Sequence, residues 1–180
     1  WAERGGGKVR VVGEDGIRQA LLETGFSVTD DHADADAVVA SMDRHCTYAK
    51  MREATLAIRR GAPYYATNAD RSFPSELGLV PGAGALVGAI ELASDVKPRI
   101  VGKPEPAFFA FALKRLGVAP ELTGAVGDRP DTDIIGAQRA GIPTVAVLTG
   151  VGTREDFQAM EPPPDWVFED LPAFESAYFG

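Results

Sequence analysis

Short β-branched runs alternate with longer amphipathic stretches along most of this 180-residue chain, and that alternation leaves few folds open. VRVV (9–12), AVVA (37–40), PYYAT (63–67), RIVG (99–102), GAVG (124–127), TVAVL (144–148) and WVF (166–168) read as strands. Between them, helices are expected over 15–23, 48–60, 83–93, 105–116 and 132–140, with a short one near 155–160 and a last one from Pro172. The second carries Met51, Ala54 and Ile58 at helical spacing and stops at Gly61; the fourth ends at Gly117. Strands alternating with helices predict parallel βαβ units, an α/β fold. From Arg99 onward the strands are solidly apolar, as in a parallel sheet covered on both faces. Before about Val96 they are more scattered, so a boundary is expected near 94–98, with domains over 1–95 and 96–180.

Bulk properties narrow the function. An apolar fraction of 45% supports a packed core, and a net charge of −8 lacks the basic patch that nucleic acid or an anionic membrane requires. A phosphorylated partner still fits if a divalent cation and local Lys or Arg offset the acid. The single cysteine, Cys46, excludes an intrachain disulfide and suits a reducing cytoplasm. Apolar runs fall well short of the roughly 18 residues of a membrane span. The chain opens at Trp1 rather than Met, so a processed or incomplete piece is expected and the lack of a leader carries no information.

Chemistry concentrates at two strand tips. Lys103 leaves RIVG within GKPEP (102–106), and Asp128 leaves GAVG within GDRPDTDI (127–134), with Asp131 and Asp133 in the next turn. In open parallel sheets, ligands bind beyond the carboxyl ends of the strands. A carboxylate cluster there suits magnesium, which takes carboxylate, water and substrate phosphate oxygens. A nearby ammonium would stabilise phosphoryl charge. The plainer reading of the aspartates is helix capping, but one cap needs one Asp. Lys103 alone would read as a solvated surface residue; its pairing with the aspartates at a second strand tip is far more specific.

GKPEP followed by GDRPDTDI resembles the third and fourth motifs of the haloacid dehalogenase (HAD) superfamily, in the branch of p-nitrophenyl and phosphoglycolate phosphatases. VVGEDGI, MDRHCTY, YYATNAD, GLVPGAGALVGAI and TVAVLTGVGTREDF extend the resemblance, in order, over nearly the whole chain. It implies an α/β cap over roughly the first 95 residues and the C-terminal part of a Rossmann-like parallel-sheet core after it. It implies a Mg-dependent phosphatase that hydrolyses a small phosphomonoester, of the sugar phosphate, phosphoglycolate or nucleotide class, through an aspartyl-phosphate. Lys103 would stabilise charge, Asp128 would bind Mg and Asp133 would support the metal site. Arg44, Asn68 and Asp70 on cap loops become candidates for substrate binding. The family's attacking aspartate, its acid–base partner and its second-motif Ser or Thr would lie before Val9. The chain by itself is then expected to be inactive. A core without its central strand would leave unpaired backbone, to be covered by further chain or by another copy in a homo-oligomer.

A second alignment treats VVGEDGI as a degenerate first motif with Gly13 at the nucleophile position and Thr67 in the second motif. Glycine cannot attack phosphorus, so the chain would be an inactive binding or interaction module. GAGALVG (82–88) suggests a dinucleotide loop only weakly, because no clear strand leads into it. Asp43, Arg44, His45 and Cys46 could suggest a metal or Cys–His site, but a loop entering the next helix explains them as well.

Overall fold

The computed structural model describes residues 6–180, and the chain divides into two compact units, 1–101 and 102–180. The division falls after Val101.

The front unit is built on a five-stranded, all-parallel sheet ordered β2-β1-β3-β4-β7. Its strands are β1 (Lys8–Val12), β2 (Ser27–Thr29), β3 (Ala37–Ala40), β4 (Tyr64–Ala66) and β7 (Arg99–Ile100). Helices α1 (Asp15–Glu23), α2 (Tyr48–Arg59) and α3 (Ala83–Ser94) form the connections. The chain steps from β1 to β2 on one side, then returns to pair β3 on the other side of β1. The connection order thus reverses between β1 and β3, where the carboxyl ends of the two strands diverge into a crevice.

Helix α2 forms because its apolar positions recur at helical spacing and Thr47 caps it, its Oγ1 accepting the Lys50 N–H at 3.3 Å. Ala54, Ala57 and Ile58 are buried and pack with Val38, Val87 and Ile90 in the front core. Tyr64 lies in the same core, and its hydroxyl donates to the Val87 carbonyl at 3.0 Å. Burial raises its pKa well above the ordinary phenol value, so it stays a neutral donor.

Two features depart from the sequence expectation. RIVG gives only a two-residue strand, and β7 joins the front sheet beside β4 rather than opening the back one. Its N-terminal end is tied by register: Tyr65 faces Arg99, whose guanidinium stands over the Tyr65 ring. An antiparallel hairpin, β5 (Ser72–Ser75) with β6 (Gly78–Pro81), also precedes α3. It leads into GAGALVG, so those glycines do not follow a parallel strand as a dinucleotide loop would.

The back unit holds a three-stranded parallel sheet ordered β10-β9-β8. Its strands are β8 (Ala125–Gly127), β9 (Thr144–Val147) and β10 (Trp166–Phe168). Helices α4 (Pro106–Leu116), α5 (Ile135–Arg139), α6 (Arg154–Gln158) and α7 (Leu171–Phe179) accompany it. All four residues of central β9 are buried. Phe109, Ala137 and Ile142 make one small core; Ile134, Ala146 and Phe157 make another. Asp165 ties the entry of β10 to that of β9, its Oδ2 accepting both the N–H and the hydroxyl of Thr144 at 2.8 Å. Those bonds hold its carboxyl below the usual carboxylate range. Among the described residues β8 has a ladder partner on one side only, and Val126 at its middle is 43% exposed. β1 and β8 lie in different sheets, so Gly13 and Asp128 do not stand at neighbouring tips of one sheet.

Candidate active site

The back unit carries its charged groups where β8 ends. Gly127 closes the strand, Asp128 follows, and the chain enters a wide π-type turn, Pro130–Ile134, that continues into α5. That turn carries Asp133 back toward the strand. A β-carbon on Gly127 would sit 2.3 Å from Cβ of Asp133, so only glycine allows this approach. Asp133 is nearly buried, its side chain 12% exposed. Both of its oxygens are engaged: Oδ1 accepts Lys103 Nζ at 2.5 Å and Oδ2 accepts the Arg129 N–H at 3.1 Å.

Asp128 is held differently. Its Oδ2 accepts the Val151 N–H at 2.8 Å, and its carbonyl accepts the Gly152 N–H at 2.8 Å. The donors belong to the loop after β9. Thr153 ends that loop in a reciprocal cap with Asp156, which starts α6. The hydrogen bonds from Thr153 hold the Asp156 carboxyl below its ordinary value. With Oδ2 occupied, Oδ1 of Asp128 is the oxygen left for a cation. A carboxylate held by a backbone N–H keeps its full negative charge, which suits a hard divalent ion.

Lys103, Asp128 and Asp133 therefore converge on one strand end through bonds internal to the back unit. Asp131 turns aside, its carboxylate facing the Arg129 guanidinium at 3.2 Å. Residues 150–152 escaped the sequence reading as site elements. Their signal was the G-V-G spacing directly after an apolar strand, the pattern of a backbone that must come close to something.

The front-unit candidates lie at the carboxyl ends of β3 and β4. Arg44 grips Glu14 at the end of β1, its Nε and one terminal nitrogen reaching the two oxygens at 2.8 and 2.9 Å. This grip, with the Arg44 N–H, lowers the Glu14 pKa to about 2. Asp43 is buried, receiving Lys50 Nζ at 2.8 Å and the His45 N–H at 3.0 Å. Asn68 accepts the Asp70 N–H through its side-chain oxygen at 3.1 Å, and the Asp70 carbonyl accepts the Gly84 N–H at 2.8 Å. Cys46 is partly buried, and its desolvation and the Asp43 charge raise the thiol's pKa, the opposite of an activated nucleophile.

A lysine and aspartates at a strand end of a parallel α/β scaffold suit chemistry on a metal-bound anion. Residues 100–174 match the HAD-hydrolase-like family. Over 163 residues the chain is 40% identical to an acid sugar phosphatase of Staphylococcus epidermidis, covering 91% of this chain and 62% of that protein. Among solved structures, a p-nitrophenyl phosphatase from Archaeoglobus fulgidus superposes with a TM-score of 0.88 at 36% identity, covering 97% of this chain and 69% of that one. A glycerol phosphate phosphatase from Mycobacterium tuberculosis, solved in complex with magnesium, gives 0.90 at 37% identity, covering 96% of this chain and 53% of that one. The chain belongs to the HAD-like hydrolases, in the branch that holds the p-nitrophenyl phosphatases. It spans 62–64% of the length of the curated relatives it matches.

Proposed function

We propose that these residues form the cap and the metal- and lysine-bearing part of a magnesium-dependent phosphomonoesterase acting on a small phosphorylated metabolite. The observation that carries this reading is the geometry at the end of β8. Asp128 is oriented by a backbone donor with one oxygen left over, while Asp133, in the turn that follows, accepts one hydrogen bond from Lys103 and one from the Arg129 N–H. The relatives named above, phosphatases of sugar phosphates, glycerol phosphate and p-nitrophenyl phosphate, support the substrate class.

Asp128 would hold the magnesium through Oδ1. The cation, when bound, neutralises phosphate charge and polarises the phosphoryl group. Asp133, with both oxygens committed, holds the Lys103 ammonium in place rather than ligating metal directly. Lys103 then offsets the charge that builds on phosphorus as the ester bond breaks. The relatives carry length beyond the matched region, and the attacking carboxylate is assigned to that length. Arg44, Asn68 and Asp70, on loops of the front unit, would read the rest of the substrate. No described helix is long and apolar enough to cross a membrane.

The test joins these residues to the additional length of the relatives and follows Mg²⁺-dependent release of p-nitrophenol. Asp128→Asn should abolish turnover, and Lys103→Ala should lower kcat on the order of 10²–10³-fold. Near-wild-type turnover in Asp128→Asn would overturn the assignment. The 180 residues alone should show no turnover; activity there that Asp128→Ala removes would put the nucleophile inside this chain.

A further inference from the structure

The phosphatase reading uses the Val151 N–H that holds Asp128 but gives no task to the glycines on either side of it, although both press against Asp128. Three constraints meet there. The Val151 N–H occupies Oδ2 at 2.8 Å, and the Gly152 N–H occupies the Asp128 carbonyl at 2.8 Å. A β-carbon on Gly150 would fall 1.9 Å from Oδ2, and one on Gly152 would fall 2.7 Å from the Asp128 carbonyl oxygen and 2.6 Å from the Phe157 ring. Behind the loop, Phe157 is fully buried and the Thr153–Asp156 cap anchors the chain. The loop can neither move inward nor carry a side chain at residue 150 without displacing the carboxylate.

We infer that Gly150 and Val151 are positioning residues that aim a single oxygen of Asp128 at the cation. The inference rests on the metal-binding reading of Asp128 above. The physical reason is the stringency of magnesium, which demands near-ideal octahedral geometry at about 2.0–2.1 Å from each oxygen. A carboxylate free to rotate would present either oxygen, or both, and would give up part of its ordering entropy on each binding event. The backbone donor holds Oδ2 away from the ion and prepays that ordering. A backbone N–H does this without supplying the full positive charge of a lysine or arginine, so the attraction for the ion is kept. Outer groups that orient a metal ligand typically change affinity 10–100-fold when lost.

The test uses the 180-residue protein and Mn²⁺ as a paramagnetic probe of the magnesium site, read in amide spectra. Substoichiometric Mn²⁺ should broaden the amides of Asp128, Val151 and Gly152 first in the wild type. Gly150→Ala should need roughly 10–100-fold more Mn²⁺ for the same broadening. Gly124→Ala, at a glycine with open space around it, should titrate as wild type. Wild-type affinity in a folded Gly150→Ala overturns the positioning role. If Asp128→Asn loses the Mn²⁺ response while Gly150→Ala keeps it, the metal reading stands and this inference falls. If the wild type shows no broadening at these amides, the metal reading fails and takes the inference with it. A measurement without metal guards against a variant that does not fold. Hydrogen exchange at the Val151 amide should accelerate in Asp128→Ala, and an unchanged rate would mean the tether is not formed.

Discussion

Both units end parallel strands in carboxylates, but Asp128 of the back unit is held differently from Asp43 and Glu14 of the front. In the front unit Asp43 meets Lys50 and Glu14 meets the two-pronged grip of Arg44, each accepting a main-chain N–H besides. In the back unit Asp128 is held by a main-chain N–H, and Asp133 shares its hold between Lys103 and a main-chain N–H. A side-chain cation offsets the carboxylate charge that a metal site would use. A backbone donor orients an oxygen and leaves the charge in place. The same architecture thus yields strand-end carboxylates paired with cations and one, Asp128, whose Oδ2 accepts from a main-chain N–H, and the identity of the donor makes the difference.

The largest effect expected from breaking this contrast is in the back unit, where the tether depends on packing. Phe157 is fully buried beneath the loop that holds Asp128. Phe157→Ala should cost about 3–5 kcal/mol, read by denaturant unfolding of the back unit. A loss under about 1 kcal/mol, far below the range for a buried aromatic, would mean that the loop does not lean on this ring. In the front unit the dependence is on the cation. Lys50→Ala strands the buried Asp43 carboxylate with one backbone donor, and because water can reach the partly exposed lysine position the cost should be at the low end, about 3 kcal/mol. Restoring stability with Asp43→Asn in the same background would locate the penalty in the uncompensated charge.

The smallest effect is a pH dependence, to which the front unit's closed pairs contribute. The pKa of Glu14 is lowered from 4.5 to about 2 by the hydrogen bonds from Arg44. Glu53 is lowered to about 2 in the same way, first by His32 and then by Arg52. Below the ordinary value the unfolded chain takes up a proton that the folded chain still refuses, so stability declines as pH falls from about 4.5 toward 2. Glu14→Gln should flatten the fall of the thermal midpoint over that window; a slope identical to wild type would show that the grip of Arg44 adds nothing to folding.

Much of this was legible in the sequence. The long helices were, because their apolar spacing and their stops at Gly61 and Gly117 are local signals. The meeting of Lys103 with Asp133 was, because both were expected beyond strand ends facing one crevice. β2 was not, since Ser27–Thr29 carries one apolar residue and gains its place from pairing with β1. The β5–β6 hairpin was hidden by Pro74 and Gly78, which read as loop although an antiparallel ribbon accepts them. β7 was assigned to the wrong sheet, because a strand's sequence states that it is buried and not which neighbour buries it. The contact of residues 150–152 with Asp128 left only the glycine spacing as a trace, because the donor is a peptide N–H, which every residue but proline has.

The β5–β6 hairpin has a consequence of another kind. Leu77 and Leu79 stand 94% and 78% exposed, and no residue of the ribbon belongs to the front core. Surface changes of this sort usually alter stability by no more than about 0.5 kcal/mol. The ribbon can therefore be rewritten over generations almost without penalty to the fold, while α3 and β4 on either side keep their places. The hairpin is thus a part of the front unit where sequence can drift while the core around it stays fixed.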